Sequence, residues 1–142
     1  MIRRALLPLL LAALFAGCQD ENPLDETFTF TGLWETAALE GSSLLLEFEQ
    51  RGDLLAGNIY LQDATGEIGD PIPIREGAVR GESVLFTYDF RGETVDGIPV
   101  DTVYFRGSRR SGVLVDMART ACWADTNCTE ISFTVTRRPA GF

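Results

Sequence analysis

The sequence predicts an all-β domain of about eight antiparallel strands. After residue 27, apolar and polar residues alternate with a period of two in one run after another, as in a half-buried strand. None of this region keeps the 3.6-residue period of an amphipathic helix. Short turn segments that contain glycine separate the runs, and glycine supplies the positive φ that tight turns need.

In each run, the alternate residues that share one face are mainly apolar, and we call this set the apolar phase of the run. In chain order these phases are Phe28, Phe30, Gly32 and Trp34; Leu44, Leu46 and Phe48; Leu55, Gly57, Ile59 and Leu61; Ile72, Ile74 and Val79; Val84, Phe86, Tyr88 and Phe90; Val103 and Phe105; Val113, Val115 and Met117; and Ile131, Phe133 and Val135. The fourth run contains Pro71 and Pro73, so it is expected to be an edge strand or a bulged one.

The turns between the runs are short, which favours a meander of neighbouring antiparallel strands. They include Arg51-Gly52-Asp53, Thr65-Gly66, Arg80-Gly81, Arg91-Gly92, Arg106-Gly107 and Ser111-Gly112. About eight strands of this kind usually close into an up-and-down barrel, because closure removes exposed strand edges. A two-sheet β-sandwich is the alternative.

The N-terminal segment is typical of a targeting signal. Arg3 and Arg4 precede an apolar run from Ala5 to Ala16, which is too short to span a bilayer but suits a signal peptide. The run ends in Leu-Phe-Ala-Gly-Cys at Cys18, which resembles the lipobox of bacterial lipoproteins. The resemblance implies a signal peptide over residues 1–17, a lipidated Cys18 that begins an acidic tether over residues 18–27, and one domain over residues 28–142.

The lipobox resemblance also implies a location. It places the chain in the cell envelope, attached to a membrane through lipid on Cys18. Gln19 stands where an aspartate would signal retention at the inner membrane, so the resemblance favours the outer membrane, with the domain facing the periplasm. The tether carries Asp20, Glu21, Asp25 and Glu26, a composition that predicts a solvated spacer.

Charge and composition exclude several classes of function. The chain has 21 acidic and 12 basic residues, a net charge of −9, and neither lysine nor histidine. The absence of both excludes Ser-His and Cys-His nucleophilic pairs, histidine-ligated metals and lysine Schiff bases. An acidic chain is a poor ligand for nucleic acid and is expected to repel anionic lipid, so attachment would depend on the lipid chains. We expect neither a metal nor a cofactor.

The remaining cysteines form a pair. With Cys18 assigned to lipid, Cys122 and Cys128 are left, and outside the cytoplasm they are expected to form a disulfide. A metal site is the alternative, but two thiolates without further ligands make a poor one. Trp123 lies inside this short ring. It is either an anchor for a binding partner or a side chain that folds back over an end of the barrel.

A second resemblance concerns the first strand. Phe30-Thr31-Gly32-Leu33-Trp34 reads F-x-G-x-W, which looks like the opening of calycins such as lipocalins, fatty-acid-binding proteins and avidins. The resemblance implies a barrel whose floor is closed by Trp34, with Arg137 or Arg138 packed over the indole. A guanidinium lying on an indole face is physically reasonable.

The resemblance also implies an interior that either holds a small apolar ligand or is filled by its own side chains. The ligand-binding candidates are Phe86 and Phe105 inside, with Tyr88 and Asp101 as polar groups at the mouth. The preferred function is non-catalytic binding of a small apolar ligand or of an envelope protein. The alternatives are an interaction module with a filled core and a hydrolase that uses paired carboxylates from Asp89, Asp101 and Asp116.

Overall fold

The computed structural model of the chain describes residues 28–37 and 41–139. These residues form nine β-strands: β1 (Gly32–Thr36), β2 (Ser43–Arg51), β3 (Leu54–Gln62), β4 (Ile72–Arg80), β5 (Ser83–Tyr88), β6 (Thr94–Val95), β7 (Ile98–Arg109), β8 (Leu114–Trp123) and β9 (Asn127–Arg137). No helix in this part of the chain is long and apolar enough to cross a bilayer. The predicted signal peptide, Cys18 and the whole predicted tether lie outside the described residues.

The strands form a closed antiparallel barrel, which confirms the predicted fold class over the sandwich. Each strand from β1 to β4 pairs with the next, β7 pairs with β8, and β8 pairs with β9. Pairing of β1 with β9 and of β5 with β7 closes the cylinder at eight strands. The short strand β6 pairs only with β7 and lies outside this ring.

The fourth strand is bulged, as its prolines predicted, but it is not an edge. It lies between β3 and β5, and its register with each of them shifts near Gly77. Glu76 has a φ of 54°, and a side-chain carbon on Gly77 would collide with the backbone carbonyl of Leu55. Glycine is therefore required at residue 77, and the bulge lets the closed barrel bend there.

The barrel is filled by the apolar phase of its strands. The buried cluster contains Phe30, Trp34, Leu46, Phe48, Leu55, Ile59, Val79, Val84, Phe86, Tyr88, Val103, Phe105, Val115, Met117, Ala121 and Val135. Alternation along each strand places these side chains inside and their neighbours outside. The period-two pattern of the sequence therefore identifies the interior cluster, while Leu33 and Leu45, which belong to the other phase, are also buried.

The meander gives the barrel two different ends. The tether end holds the start of β1, the end of β9 and the β2–β3, β4–β5 and β7–β8 connections. The mouth end holds the β1–β2, β3–β4, β5–β7 and β8–β9 connections. Any tether of residues 18–27 therefore joins the barrel at the tether end, opposite the mouth.

Candidate functional site at the mouth of the barrel

The tether end is closed by Trp34 and Arg137. Trp34 is fully buried, and its indole Nε1 donates a hydrogen bond of 2.8 Å to the carbonyl of Phe30. The guanidinium carbon of Arg137 lies 4.4 Å from the centre of the Trp34 ring. The same guanidinium donates to the carbonyls of Thr31 at 2.7 Å and Thr29 at 2.6 Å. The contact joins the last strand to the segment before the first.

The arginine over the indole is Arg137 and not its neighbour. Adjacent residues of a strand point to opposite faces, so Arg138 lies on the outside of the barrel. There its Nε lies 3.4 Å from a carboxylate oxygen of Glu35. Of the two arginines that the resemblance singled out, only Arg137 therefore packs against Trp34.

Among residues 28–37 and 41–139, the hydrogen-bond acceptors of Arg137 are backbone carbonyls and include no carboxylate. Burial, together with the nearby charge of Arg109, lowers the pKa of its guanidinium below the usual range. Arg109 itself stacks on Phe28, with its guanidinium carbon 3.9 Å from the ring centre. Two cations and two aromatic rings thus seal this end. Arginine tolerates the arrangement because its charge is delocalised and weakly hydrated.

The middle of the barrel is packed with aromatic rings. Phe86 and Phe105 stack with centres 4.9 Å apart and planes 9° apart. Phe48 meets Phe86 edge-on at 5.4 Å, and Phe133 meets Phe105 edge-on at 6.3 Å. Phe86 and Phe105 are only 1% and 2% exposed. The two residues expected to line a ligand site therefore belong to the packed core.

A polar network lies above these rings at the mouth. The hydroxyl of Tyr88 donates to a carboxylate oxygen of Glu93 at 2.6 Å and accepts from Nη2 of Arg119 at 2.8 Å. The same Arg119 nitrogen lies 3.0 Å from the other Glu93 oxygen. The three side chains come from β5, the β5–β7 connection and β8. They fasten the connection that contains β6 to the barrel wall.

The network affects the ionisation of Tyr88. Burial is the largest cause that raises the pKa of its phenol, and the hydrogen bond to Glu93 raises it further. The hydrogen bond from Arg119 acts in the opposite direction. Tyr88 is therefore a neutral hydroxyl at physiological pH, held in one orientation between a cation and an anion.

The rim of the mouth exposes apolar side chains that belong to the inward phase. Leu61 on β3 and Ile131 on β9 are 53% and 48% exposed, although they follow the same alternation as buried residues deeper in the barrel. Trp123 at the end of β8 is partly buried and also lies in the inward phase. The three side chains therefore form an apolar rim at the mouth, where the network around Tyr88 also lies.

Trp123 is a strand residue and not part of the turn. It pairs with Val100 on one side and with Asn127 on the other, and the turn begins after it. The structure therefore places it at the rim of the mouth, where its ring faces the inward side of the wall.

Asp101 lies away from Tyr88. A register shift between Val100 and Thr102 makes Asp101 a bulged residue, which breaks the alternation that predicted an inward side chain. It is exposed, and its carboxylate accepts a hydrogen bond of 3.1 Å from the backbone N–H of Asp125. Glu93 and Arg119 are the polar partners of Tyr88 in its place.

The predicted disulfide is present. Cys122 and Cys128 are directly opposite each other on β8 and β9, and their sulfurs are bonded. The bond encloses Trp123 and a turn in which Ala124 and Asp125 have φ values of 50° and 64°. Left-handed φ is unfavourable for non-glycine residues, so the disulfide and the Asp101 bond hold a strained turn at the mouth.

The carboxylates proposed as a catalytic pair are not brought together in one network. Asp89 binds Arg91 in the β5–β7 connection, and the hydrogen bonds from Arg91 lower its pKa to about 2. Asp116 on β8 binds Arg110 and accepts from the Thr134 hydroxyl. The described residues also contain no group of three or more Cys, Asp or Glu side chains placed to hold a metal ion.

A second concave surface lies toward the tether end. This groove of about 810 Å³ crosses the outer wall, where Leu85 and Ala118 lie among the arginines Arg80, Arg106 and Arg110. Arg106 and Arg110 form ion pairs across the wall. The groove therefore presents three arginines and one acid, Asp116, beside apolar side chains, unlike the apolar rim of the mouth.

Sequence reasoning missed two residues of the mouth network. Arg119 lies in the inward phase between Met117 and Ala121, so a charged side chain in an apolar phase was the available signal. Glu93 lies in a connection without periodicity and offered no signal.

No family model, curated protein or solved structure matches this chain.

The closure at the tether end predicts different effects for two neighbouring arginines. We expect Arg137→Lys to lower the free energy of unfolding by about 2 kcal/mol, because a lysine cannot bind several carbonyls and stack on Trp34 at once. The control, Arg138→Lys, alters a partly exposed ion pair and is expected to lower it by less than about 0.5 kcal/mol. Urea unfolding followed by tryptophan fluorescence measures both. Equal losses would contradict the assigned closure.

The mouth network predicts opposite shifts of the Tyr88 titration. Glu93→Gln should lower its pKa, because the anion that favours the neutral phenol is removed, and Arg119→Gln should raise it. NMR of ¹³C-labelled tyrosine measures both, and Tyr60, which hydrogen-bonds Glu47 instead, is the internal control. Because the pKa of Tyr88 is higher in the folded than in the unfolded chain, its neutral phenol contributes to the free energy of unfolding. This contribution is complete below pH 10 and is lost as the pH rises through the pKa of Tyr88 in the folded chain. Shifts in the same direction would contradict the network.

Proposed function

We propose that the chain is a non-catalytic, lipid-anchored protein of the bacterial cell envelope that binds an envelope partner through the mouth of its barrel. The observation that carries the binding proposal is the exposure of Leu61 and Ile131 in a phase that is otherwise buried. An apolar rim on a rigid barrel wall fits an apolar group that projects from a partner.

The anchor in this proposal rests on the N-terminal sequence. The charged start, the apolar run and the small residues before Cys18 together favour processing as a lipoprotein. Gln19 favours the outer membrane, with the domain in the periplasm. The position of Phe28 agrees with this arrangement, because a tether that leaves the barrel at its closed end leaves the mouth unobstructed.

The packed interior favours a partner over an enclosed ligand. A site that encloses a small molecule usually covers most of its surface, and the stacked rings of Phe86 and Phe105 occupy the place where such a ligand would lie. A small apolar ligand held by the apolar rim of the mouth is the second candidate.

A carboxylate-based hydrolase receives less support from the same residues. A general acid needs a carboxyl group whose pKa is raised toward neutrality. Asp89 is held well below its usual pKa by Arg91, and Asp116 is bound to Arg110. These acids fit structural roles in the wall.

The anchor predicts a covalent modification. We expect mass spectrometry of the protein from a Gram-negative host to show a chain that begins at Cys18 and carries fatty acyl groups. Cys18→Ala should lose the acyl mass, because a thiol is needed for the thioether. Cys18→Ser, which keeps the size of the side chain but lacks the thiol, is the matched control. A wild-type chain with an unmodified thiol at Cys18 would refute the anchor.

The docking proposal predicts contact from one end of the barrel only. A photoreactive amino acid at Ile131 should give one discrete protein adduct in living cells, because this side chain belongs to the apolar rim of the mouth. The matched control is Val113, an aliphatic side chain that is 53% exposed at the tether end. Its photoreactive variant should give no adduct.

Three outcomes would oppose the mouth as the docking site. Adducts from Val113 alone would move the site to the groove or the tether end, and equal labelling from both positions would indicate nonspecific contact. A stoichiometric small molecule found by native mass spectrometry of the purified chain would favour the second candidate.

A further inference from the structure

We infer that the envelope partner adds an extended segment to the barrel as one more strand, along the part of β9 that β1 leaves unpaired. The inference rests on the proposed docking at the mouth and names the form of the segment that docks there. The observation behind it is the unequal length of the two strands that close the barrel. β9 covers Asn127–Arg137, whereas β1 covers only Gly32–Thr36.

The pairing of β9 with β1 ends well before the mouth end of β9. Thr36 pairs with Val135, and among the strands of the described chain residues 127–134 pair with β8 alone. The backbone N–H of Leu44 donates a hydrogen bond to the Thr36 hydroxyl, so the connection from β1 to β2 starts and ends at this level of the barrel. Residues 127–132 are all exposed. The mouth end of β9 is therefore an open edge of the sheet.

Alternate residues of this edge direct their backbone groups away from β8. The N–H of Arg137 donates to the carbonyl that precedes β8, whereas the N–H of Arg138 donates to Leu33 of β1. The register between β8 and β9 contains no bulge, so even-numbered residues of β9 keep facing the β1 side. The Cα atoms of Cys122 and Cys128 are 4.1 Å apart, a spacing typical of an antiparallel pair that exchanges no hydrogen bonds.

Cys128, Glu130 and Ser132 thus present N–H and C=O groups that no strand within residues 28–37 and 41–139 binds. Proteins usually protect such an edge with proline, lysine or a bulge. Residues 127–134 contain none of these, and their one charged side chain, Glu130, forms an ion pair with Arg106 of β7. The edge is therefore free to pair with a further strand, as in peptide recognition by strand addition.

The side chains along the edge specify the added segment. Ile131 faces the interior and is 48% exposed, since no strand lies beside it on the β1 side. An apolar side chain next to it would extend the apolar rim that Leu61 and Trp123 also form. On the outer face Glu130 disfavours an acidic neighbour. The segment is therefore an extended stretch of about eight residues, about 27 Å long, with apolar side chains at alternate positions and no acid opposite Glu130.

A second copy of this chain fits the edge less well than a strand from another protein. Two identical edges pair as antiparallel strands about a two-fold axis, which directs the two mouths to opposite sides. Chains anchored to one membrane through their tether ends direct their mouths to the same side. The proposed anchor therefore opposes a dimer through β9 and leaves a partner's strand as the occupant.

Hydrogen exchange of the purified chain tests the edge itself. We expect the backbone N–H groups of Glu130 and Ser132 to exchange at least about a hundredfold faster than those of Ile131 and Phe133, which face β8. NMR resolves the four groups in one spectrum, so each pair is the control for the other. Equal protection of all four N–H groups would overturn the free edge.

Photocrosslinking in living cells tests the added strand. A photoreactive amino acid at Ser132, on the outer face, should give the same protein adduct as one at Ile131, because a strand on this edge presents side chains to both faces. Ser83, an exposed serine of β5, is the matched control and should give no adduct. Labelling from Ile131 without labelling from Ser132 would overturn strand addition and leave docking at the mouth standing. No adduct from either position would overturn both.

A proline blocks the edge from the partner's side. Ser132→Pro deletes an N–H that faces away from β8, and the residue before a proline favours the extended conformation. We expect this variant to reduce the adduct from Ile131 at least about tenfold, whereas Ser132→Ala should keep it within about twofold. Slow exchange of the Phe133 N–H shows that the proline variant keeps its barrel. An undiminished adduct in that intact variant would overturn the inference.

Two further results complete the test. Where the proline variant does not fold, the comparison of labelling from Ser132 with labelling from Ser83 decides, because neither position then requires a proline. Sedimentation of the purified chain measures self-association. A dimer that the wild-type chain forms and that an intact Ser132→Pro variant loses would assign the edge to a second copy and overturn the partner's strand.

Discussion

The barrel depends on the contact between Arg137 and Trp34, because the strands that close it share few backbone pairs. Strands β1 and β9 are aligned at only three residue pairs, whereas β8 and β9 are aligned at ten. Arg137 adds hydrogen bonds to the carbonyls of Thr29, Thr31 and Gly112, so one side chain fastens the segment before β1 and the β7–β8 connection to the last strand. Burial of the indole against the guanidinium excludes water from this short seam.

Trp34 and Arg137 close the tether end, and aromatic side chains pack the middle of the barrel. The mouth is therefore the part of the barrel that is left for recognition. Aromatic rings fill the centre from several strands, and the hydroxyl of Tyr88 marks the change from apolar core to polar network. Above that level the wall continues while its apolar side chains become exposed.

The sequence predicts the parts of this structure that depend on alternation. The inward phases of β2, β5 and β8 are read directly from Leu46, Phe86 and Val115, since each side chain must face a dry interior. Strand β6 has only two residues and leaves no period to detect. The calycin-like opening located Trp34 and reduced its partner to two arginines, and alternation along β9 then decides between them.

Local irregularity limits what the sequence predicts about the mouth. A one-residue bulge turns Asp101 away from the position that strict alternation assigns to it. Arg119 stands in an inward phase, so its charge was readable but its partner was not. Glu93 reaches that partner from a connection whose path depends on the tertiary structure. Contacts of this kind join residues that are distant in the sequence, so no residue spacing predicts them.

The covalently closed turn between β8 and β9 has a consequence for the thermodynamics of recognition. The disulfide between Cys122 and Cys128, together with the bond from Asp125 to Asp101, fixes Trp123 and its neighbours before any partner arrives. A rim that is already ordered loses little conformational entropy on association. A partner that contacts this side of the rim can therefore bind specifically over a small area. Reduction of the disulfide would make ordering part of the binding step, so that affinity would depend on the redox state of the surroundings.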